Sequence, residues 1–270
     1  MTSSGRIEET FARLKRDERT AFIAFLTVGY PDVESTLRLV PALIDGGADI
    51  IELGIPFSDP LAEGPTIQAA SQHALEQGVT TTTCLDVIRR LRASGVRAPL
   101  IPMGYYNPTL AFGLEEFARD LAEAGGDGMI AVDLPPEESG PLHEAFTRHG
   151  LRMIYLLAPT STDERIAAVA ERASGFVYCV SVTGVTGARD ELSPELTSFV
   201  QRVRKRVSLP IAVGFGISQP KHFQAVARIA DAAVIGSAII DEIAKSAPSE
   251  REARLKHYAE VVTGRRGAAA

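Results

Sequence analysis

Ile51-Glu52-Leu53-Gly54-Ile55-Pro56-Phe57-Ser58-Asp59-Pro60-Leu61-Ala62-Glu63-Gly64-Pro65 starts at the end of an apolar run, Ala48-Asp49-Ile50-Ile51, and finishes in a loop. The run reads as a buried strand, and Glu52 stands where that strand stops. Its apolar residues are continuous rather than alternating, so both faces are covered and the sheet it belongs to is parallel. Pro56, Pro60, Gly54 and Gly64 then break regular structure as far as Pro65. Two carboxylates, Glu52 and Glu63, therefore flank a long non-repetitive loop at a strand's C-terminal end.

Outward from this stretch the same unit recurs. Apolar strands are expected at 21–28, 48–53, 99–103, 128–132, 151–157, 175–180, 211–213 and 232–235. Amphipathic helices fall between them at 34–44, 71–77 with 84–93, 113–124, 137–149, 162–173, 194–207 and 219–230, and after the last strand at 237–245 and 249–262. A further short helix, 8–16, carries Phe11 and Leu14 on one face and suits the closing of a barrel floor. An open doubly wound sheet gives a similar string. The count of about eight units, and the placing of polar loops at strand ends, favour closure. The expected fold is α/β, a (β/α)8 TIM barrel with an extra N-terminal helix and extra helices near the C-terminus. One domain is expected over 1–270, frayed at 1–5 and 264–270, since no composition break divides the chain.

Bulk properties narrow the function. Of 270 residues, 45% are hydrophobic and 23% charged, as in ordinary globular proteins. A formal net charge of −6 argues against nucleic acid or an anionic membrane as partner. Cys84 and Cys179 form no CxxC pair, and the five histidines show no metal-ligand spacing, so neither a disulfide framework nor a metal site is expected. The N-terminus is polar and no apolar run reaches membrane-spanning length, which points to a cytoplasmic setting.

In such a barrel, chemistry sits at the C-terminal strand ends. Val213-Gly214-Phe215-Gly216-Ile217-Ser218 and Ile235-Gly236-Ser237-Ala238 each leave a strand and enter a helix. Gly216 and Gly236 let the backbone approach an anion where helix N–H groups are unpaired, the arrangement of a phosphate site. Gly184-Val185-Thr186-Gly187 can close over the same group. Each glycine could instead serve only a tight turn. Strand alternation turns Glu52 toward the barrel interior, where desolvation raises its proton affinity and suits it to proton transfer; a structural ion pair is the alternative. Glu63 is a second candidate carboxylate, or an ordinary solvated one. Asp59 and Asp133 read as groups that order loops through backbone N–H. Tyr178 shares its strand face with Phe176 and can bond a substrate or a carboxylate, or simply fill the core. Phe25, Met103, Ile130 and Phe215 can line an apolar slot at the mouth, core filling being their default. The residues thus describe a barrel enzyme for a phosphate ester, using one or two carboxylates for proton transfer.

At these positions the chain resembles the tryptophan synthase alpha subunit family. The resemblance is carried by IELGIPFSDPLAEGPTIQ (51–68), 21–29 with Pro31, Tyr105-Tyr106-Asn107-Pro108, VDLPPEES (132–139), LLAPTS (156–161), SVTGVTG (181–187), VGFGIS (213–218) and IGSAII (235–240). It implies a carbon–carbon lyase that cleaves indole-3-glycerol phosphate to indole and D-glyceraldehyde 3-phosphate in tryptophan biosynthesis. It also implies an αββα assembly with a beta subunit that receives the indole. No cofactor is implied in this chain, pyridoxal phosphate (PLP) being expected only in that partner. Carried over residue by residue, Glu52 matches the acid/base and position 63 the second catalytic carboxylate, with Tyr178 beside them. Gly187, Gly216, Ile217, Gly236 and Ser237 match phosphate-binding positions. Phe25, Ile67, Met103, Ile130, Thr186 and Phe215 match the indole slot.

Two departures stand out. The family normally has aspartate where this chain has Glu63, and some members carry a basic residue where it has Val182. A carboxylate one methylene longer can misplace a catalytic group by about 1 Å, which can cost on the order of a hundredfold in rate. A stand-alone indole-releasing lyase and a non-catalytic activating subunit are the rival readings; intact Glu52 and the phosphate loops oppose the latter.

Overall fold

The computed structural model describes residues 5–180, 193–214 and 216–265. Its strands are β1 (Ala21–Thr27), β2 (Ile50–Gly54), β3 (Leu100–Gly104), β4 (Gly128–Ala131), β5 (Arg152–Ile154), β6 (Leu156–Leu157), β7 (Val177–Val180), β8 (Ile211–Gly214) and β9 (Ala232–Ile235). Every pairing is parallel, in the order β5-β4-β3-β2-β1-β9-β8-β7-β6. The two ends of that order, β5 and β6, are separated in the chain by Tyr155 alone. They are two halves of the expected strand 151–157, one paired to β4 and the other to β7, and that strand closes the barrel. The Tyr178 N–H donates to the Tyr155 carbonyl at the break (3.0 Å). The fold is a TIM barrel, with one of its eight strands interrupted.

Around it lie α1 (Arg6–Arg16), α2 (Val33–Asp45), α3 (Pro65–Glu76), α4 (Thr81–Ala93), α5 (Tyr106–Phe112), α6 (Leu114–Ala124), α7 (Gly140–Arg148), α8 (Asp163–Arg172), α9 (Pro194–Arg204), α10 (Pro220–Ala227), α11 (Ser237–Lys245) and α12 (Arg251–Thr263). Period-two alternation divides the apolar residues into two packed layers. Phe22, Leu26, Ile51, Leu53, Val177 and Cys179 belong to the layer under the helices. Ile23, Ile50, Ile101, Ile130, Phe176 and Tyr178 fill the lumen. Helix α1 joins the lumen through Ile7, Phe11 and Leu14, and the Phe11 and Phe176 rings lie 5.8 Å apart. Glu8 and Glu9 in its first turn and Arg13, Lys15 and Arg16 in its last complement the helix dipole.

Several boundaries differ from the sequence reading. Helix α3 begins at Pro65, well before 71, because proline is tolerated at the first helical position. The threonine run does not break structure; Thr80 and Thr83 form a reciprocal capping box that starts α4. Helix α5 was not expected, yet Pro108 lies in its first turn, where the missing N–H has no intrahelical partner to lose. Helix α7 starts at Gly140 rather than 137. Arg265, placed in a frayed tail, donates instead to the Gly47 carbonyl, the Asp49 carboxylate (2.9 Å) and the Thr20 carbonyl (2.9 Å). Asp49 also accepts from the Phe22 N–H (3.0 Å), so this network fixes the starts of β1 and β2 and hence where Glu52 lies.

Candidate active site

Strand β2 places Glu52 in register between Phe25 of β1 and Ile101 of β3. Its side chain points into the lumen, it is 0% exposed, and neither carboxylate oxygen has a hydrogen-bond partner among the described residues. Burial pushes its pKa up to about 8. Near neutral pH this burial favours Glu52 as the neutral acid. Tyr178 reaches the same space from β7, and burial together with the Glu52 charge pushes its pKa up. Glycines make room for the rings at this level. A Cβ on Gly214 would lie 2.1 Å from the Tyr178 hydroxyl, and one on Gly54 would lie 2.7 Å from the Phe25 ring.

The loop that carries Glu63 is tied at several points. The Ser71 hydroxyl bonds both the Phe57 N–H (2.9 Å) and its carbonyl (3.1 Å). Gln68 donates to the carbonyls of Glu63 (2.9 Å) and Pro60 (3.2 Å). The Tyr105 hydroxyl, just past β3, donates to Glu63 Oε2 and accepts from the Ala62 N–H (2.8 Å). Burial raises the Glu63 pKa, the Tyr105 bond opposes that, and the nearby Asp133 charge adds to it; the net direction is upward. Asp133 accepts from the Tyr106 N–H (2.7 Å), the loop-ordering role expected of it. Asp59 is bonded by the neighbouring Ser58 hydroxyl instead (2.6 Å).

At the opposite wall, Gly236 is the N-cap of α11 with no side-chain cap, and its carbonyl accepts from the N–H groups of Ile239 (2.9 Å) and Ile240 (3.1 Å). The first N–H groups of the helix, at Ser237 and Ala238, have no partner within it. Gly216 adopts φ +70°, the left-handed conformation that favours glycine. These elements surround one cavity of about 250 Å³. Its walls include Glu52, Glu63 and Tyr178; Gly216, Ile217, Gly236 and Ser237; and the apolar Phe25, Ile67 and Met103. Among the described residues no lysine or arginine lines it; the polar groups on this side are backbone N–H groups at a helix start, the kind that suit an anion.

Ile130 is fully buried in the lumen and is not part of the wall. Thr186, Gly187, Phe215 and Val182 lie outside the described residues. Ala62, Thr66 and Val234 line the cavity without having been singled out. Val234 shares a strand face with Ala232, so alternation could have found it. Tyr105 was quoted in a motif but given no role; its place after the apolar run 99–103 was the available signal. Among the described residues no group of three His, Cys, Asp or Glu side chains could hold a metal ion.

A family model described as "Tryptophan synthase alpha chain" matches residues 11–268. The tryptophan synthase alpha chain of Roseiflexus sp. (strain RS-1) is 52% identical over 259 residues, which are 96% of this chain and 99% of that one. That of Chloroflexus aggregans is 54% identical over 253 residues, 94% of this chain and 95% of the relative. Among solved structures, tryptophan synthase subunit alpha from Legionella pneumophila superposes with a TM-score of 0.87 at 37% identity, covering 98% of both chains. The aminoacrylate-bound tryptophan synthase of M. tuberculosis gives 0.86 at 35%, covering 96% of this chain and 98% of that one.

Proposed function

The chain belongs to the tryptophan synthase alpha chain family, and from that premise we propose that Glu52 and Glu63 divide the acid–base and electrostatic work of its reaction. The family is a carbon–carbon lyase: it cleaves indole-3-glycerol phosphate to indole and glyceraldehyde 3-phosphate and has a beta subunit as partner. The PLP of tryptophan synthase belongs to that beta subunit.

The retro-aldol step needs a proton on the indole carbon that bears the side chain. It also needs the proton of the adjacent side-chain hydroxyl removed, and positive charge develops at the indole N–H. Glu52, held neutral by its burial, gives its proton to the ring carbon. The resulting carboxylate takes the hydroxyl proton as the carbon–carbon bond breaks, which releases indole and the aldehyde and restores the acid. Glu63, as a carboxylate, stabilises the charge at the indole N–H. Gly216, Ile217, Gly236 and Ser237, with Gly187, hold the phosphate; Phe25, Ile67 and Met103, with Thr186 and Phe215, hold the indole, Ile130 backs that slot from the lumen, and Tyr178 packs beside Glu52. The chain acts as one domain within an αββα assembly in the cytoplasm, and its own chemistry uses no cofactor. Leu61, 91% exposed on the loop that carries Glu63, belongs to the surface that meets the beta subunit.

One observation carries this reading: a buried carboxylate without a hydrogen-bond partner among the described residues faces the same cavity as a second carboxylate and an uncapped helix start. Indole release from indole-3-glycerol phosphate by the purified chain tests it. The parent releases indole, and Glu63→Ala lowers turnover by about 10² or more; near-normal cleavage by Glu63→Ala removes that residue from the chemistry.

A further inference from the structure

Glu63 lines two spaces: the main cavity, and a much smaller pocket behind the loop that it shares with Phe57 and Tyr105. Tyr105 lines the second and not the main cavity, while Phe25, Ile67 and Met103 wall both, so it meets the carboxylate from beside the substrate space rather than from within it. It is a fixed anchor. It is 6% exposed, its ring lies 4.9 Å from that of Phe57, its hydroxyl accepts from the Ala62 N–H (2.8 Å), and the next residue's N–H is bonded by Asp133 (2.7 Å). From there the hydroxyl donates to Glu63 Oε2, leaving Oε1 as the second acceptor.

We propose that Tyr105 is a positioning residue for the cleavage reaction, holding the long Glu63 side chain at the cavity wall and so allowing a glutamate to serve there. The inference rests on the catalytic reading of Glu63. A glutamate has one more side-chain torsion than an aspartate, and each unrestrained torsion spreads the carboxylate over more rotamers. Catalysis requires the group in a single place. The Tyr105 bond removes that freedom and, because it favours the charged form, offsets part of what burial and the Asp133 charge do to Glu63. Tyr105 and Asp133 are the titratable groups that act on Glu63 from the strand ends beside the loop, and Glu52 faces it across the cavity. A shorter carboxylate has less freedom to restrain and gains less from the hydroxyl.

The test is a double-mutant cycle on indole-3-glycerol phosphate cleavage, with kcat and KM measured across pH for the parent, Tyr105→Phe, Glu63→Asp and the double variant. Tyr105→Phe keeps the ring against Phe57, and an unchanged KM reports an intact fold. The expected result is a fall in kcat of about tenfold with KM within about threefold, and an acid limb displaced to higher pH. In the Glu63→Asp background the same change costs less than about threefold, so the two substitutions are non-additive. An equal loss of kcat in both backgrounds, or an acid limb that does not move, overturns the positioning role. Glu63→Ala is run alongside: if it cleaves normally, the catalytic reading of Glu63 fails, a result separate from failure of the Tyr105 inference.

Discussion

Glu52 costs the protein stability in order to do its work. Its carboxyl group is fully buried and has no hydrogen-bond partner among the described residues, so the charged form is disfavoured and the pKa moves from 4.5 to about 8. A carboxyl whose folded pKa lies above its unfolded value binds more protons in the native state. Stability then falls as pH rises between the two values, here from about 4.5 to about 8. Glu52→Gln keeps the shape and removes the titration. Urea unfolding is expected to find the variant more stable than the parent at alkaline pH, by an amount on the order of a few kcal/mol, with the gap closing in mild acid. A gap independent of pH would mean that Glu52 is not desolvated as described. The inward orientation of Glu52 was legible from period-two alternation alone. Tyr105 was not, because its role arises only where two strand-end loops, 42 residues apart in the chain, come together.

Among the elements, α1 does the least chemistry and the most sealing. Its apolar residues Ile7, Phe11 and Leu14 follow helical spacing and close the lumen from below. Phe11→Ala removes a ring that packs on Phe176, and is expected to destabilise the fold by about 3–5 kcal/mol in urea denaturation while the KM of the folded fraction stays unchanged. A change in KM with stability intact would place α1 in the site rather than under it. Strands and long amphipathic helices were legible because their periods survive any tertiary context. The starts of α3, α4 and α5 were not. Pro65, Thr80 and Pro108 carry breaker signals when read alone, yet each sits in a first turn or at a cap, where those residue types are favoured or harmless.

At the scale of the molecule, barrel closure does the assembling. Parallel strands bring every C-terminal end to one face, so residues as distant as Phe25 and Ser237 line one cavity. The eight-unit rhythm made this closure legible, although not the interruption at Tyr155 that divides one strand in two. Apolar wall positions were harder to read than polar ones: Ile130 and Met103 are register partners, yet only Met103 reaches the cavity. That difference is set by packing, which a hydrophobic pattern does not encode. The central claim is that a neutral, buried Glu52 supplies and then recovers the proton that cleaves the substrate. Its most direct test pairs substrate binding with single-turnover indole release in Glu52→Gln. Binding of indole-3-glycerol phosphate within about threefold of the parent, with release slowed by about 10²–10⁴, is the predicted result; release at close to the parent rate would contradict it.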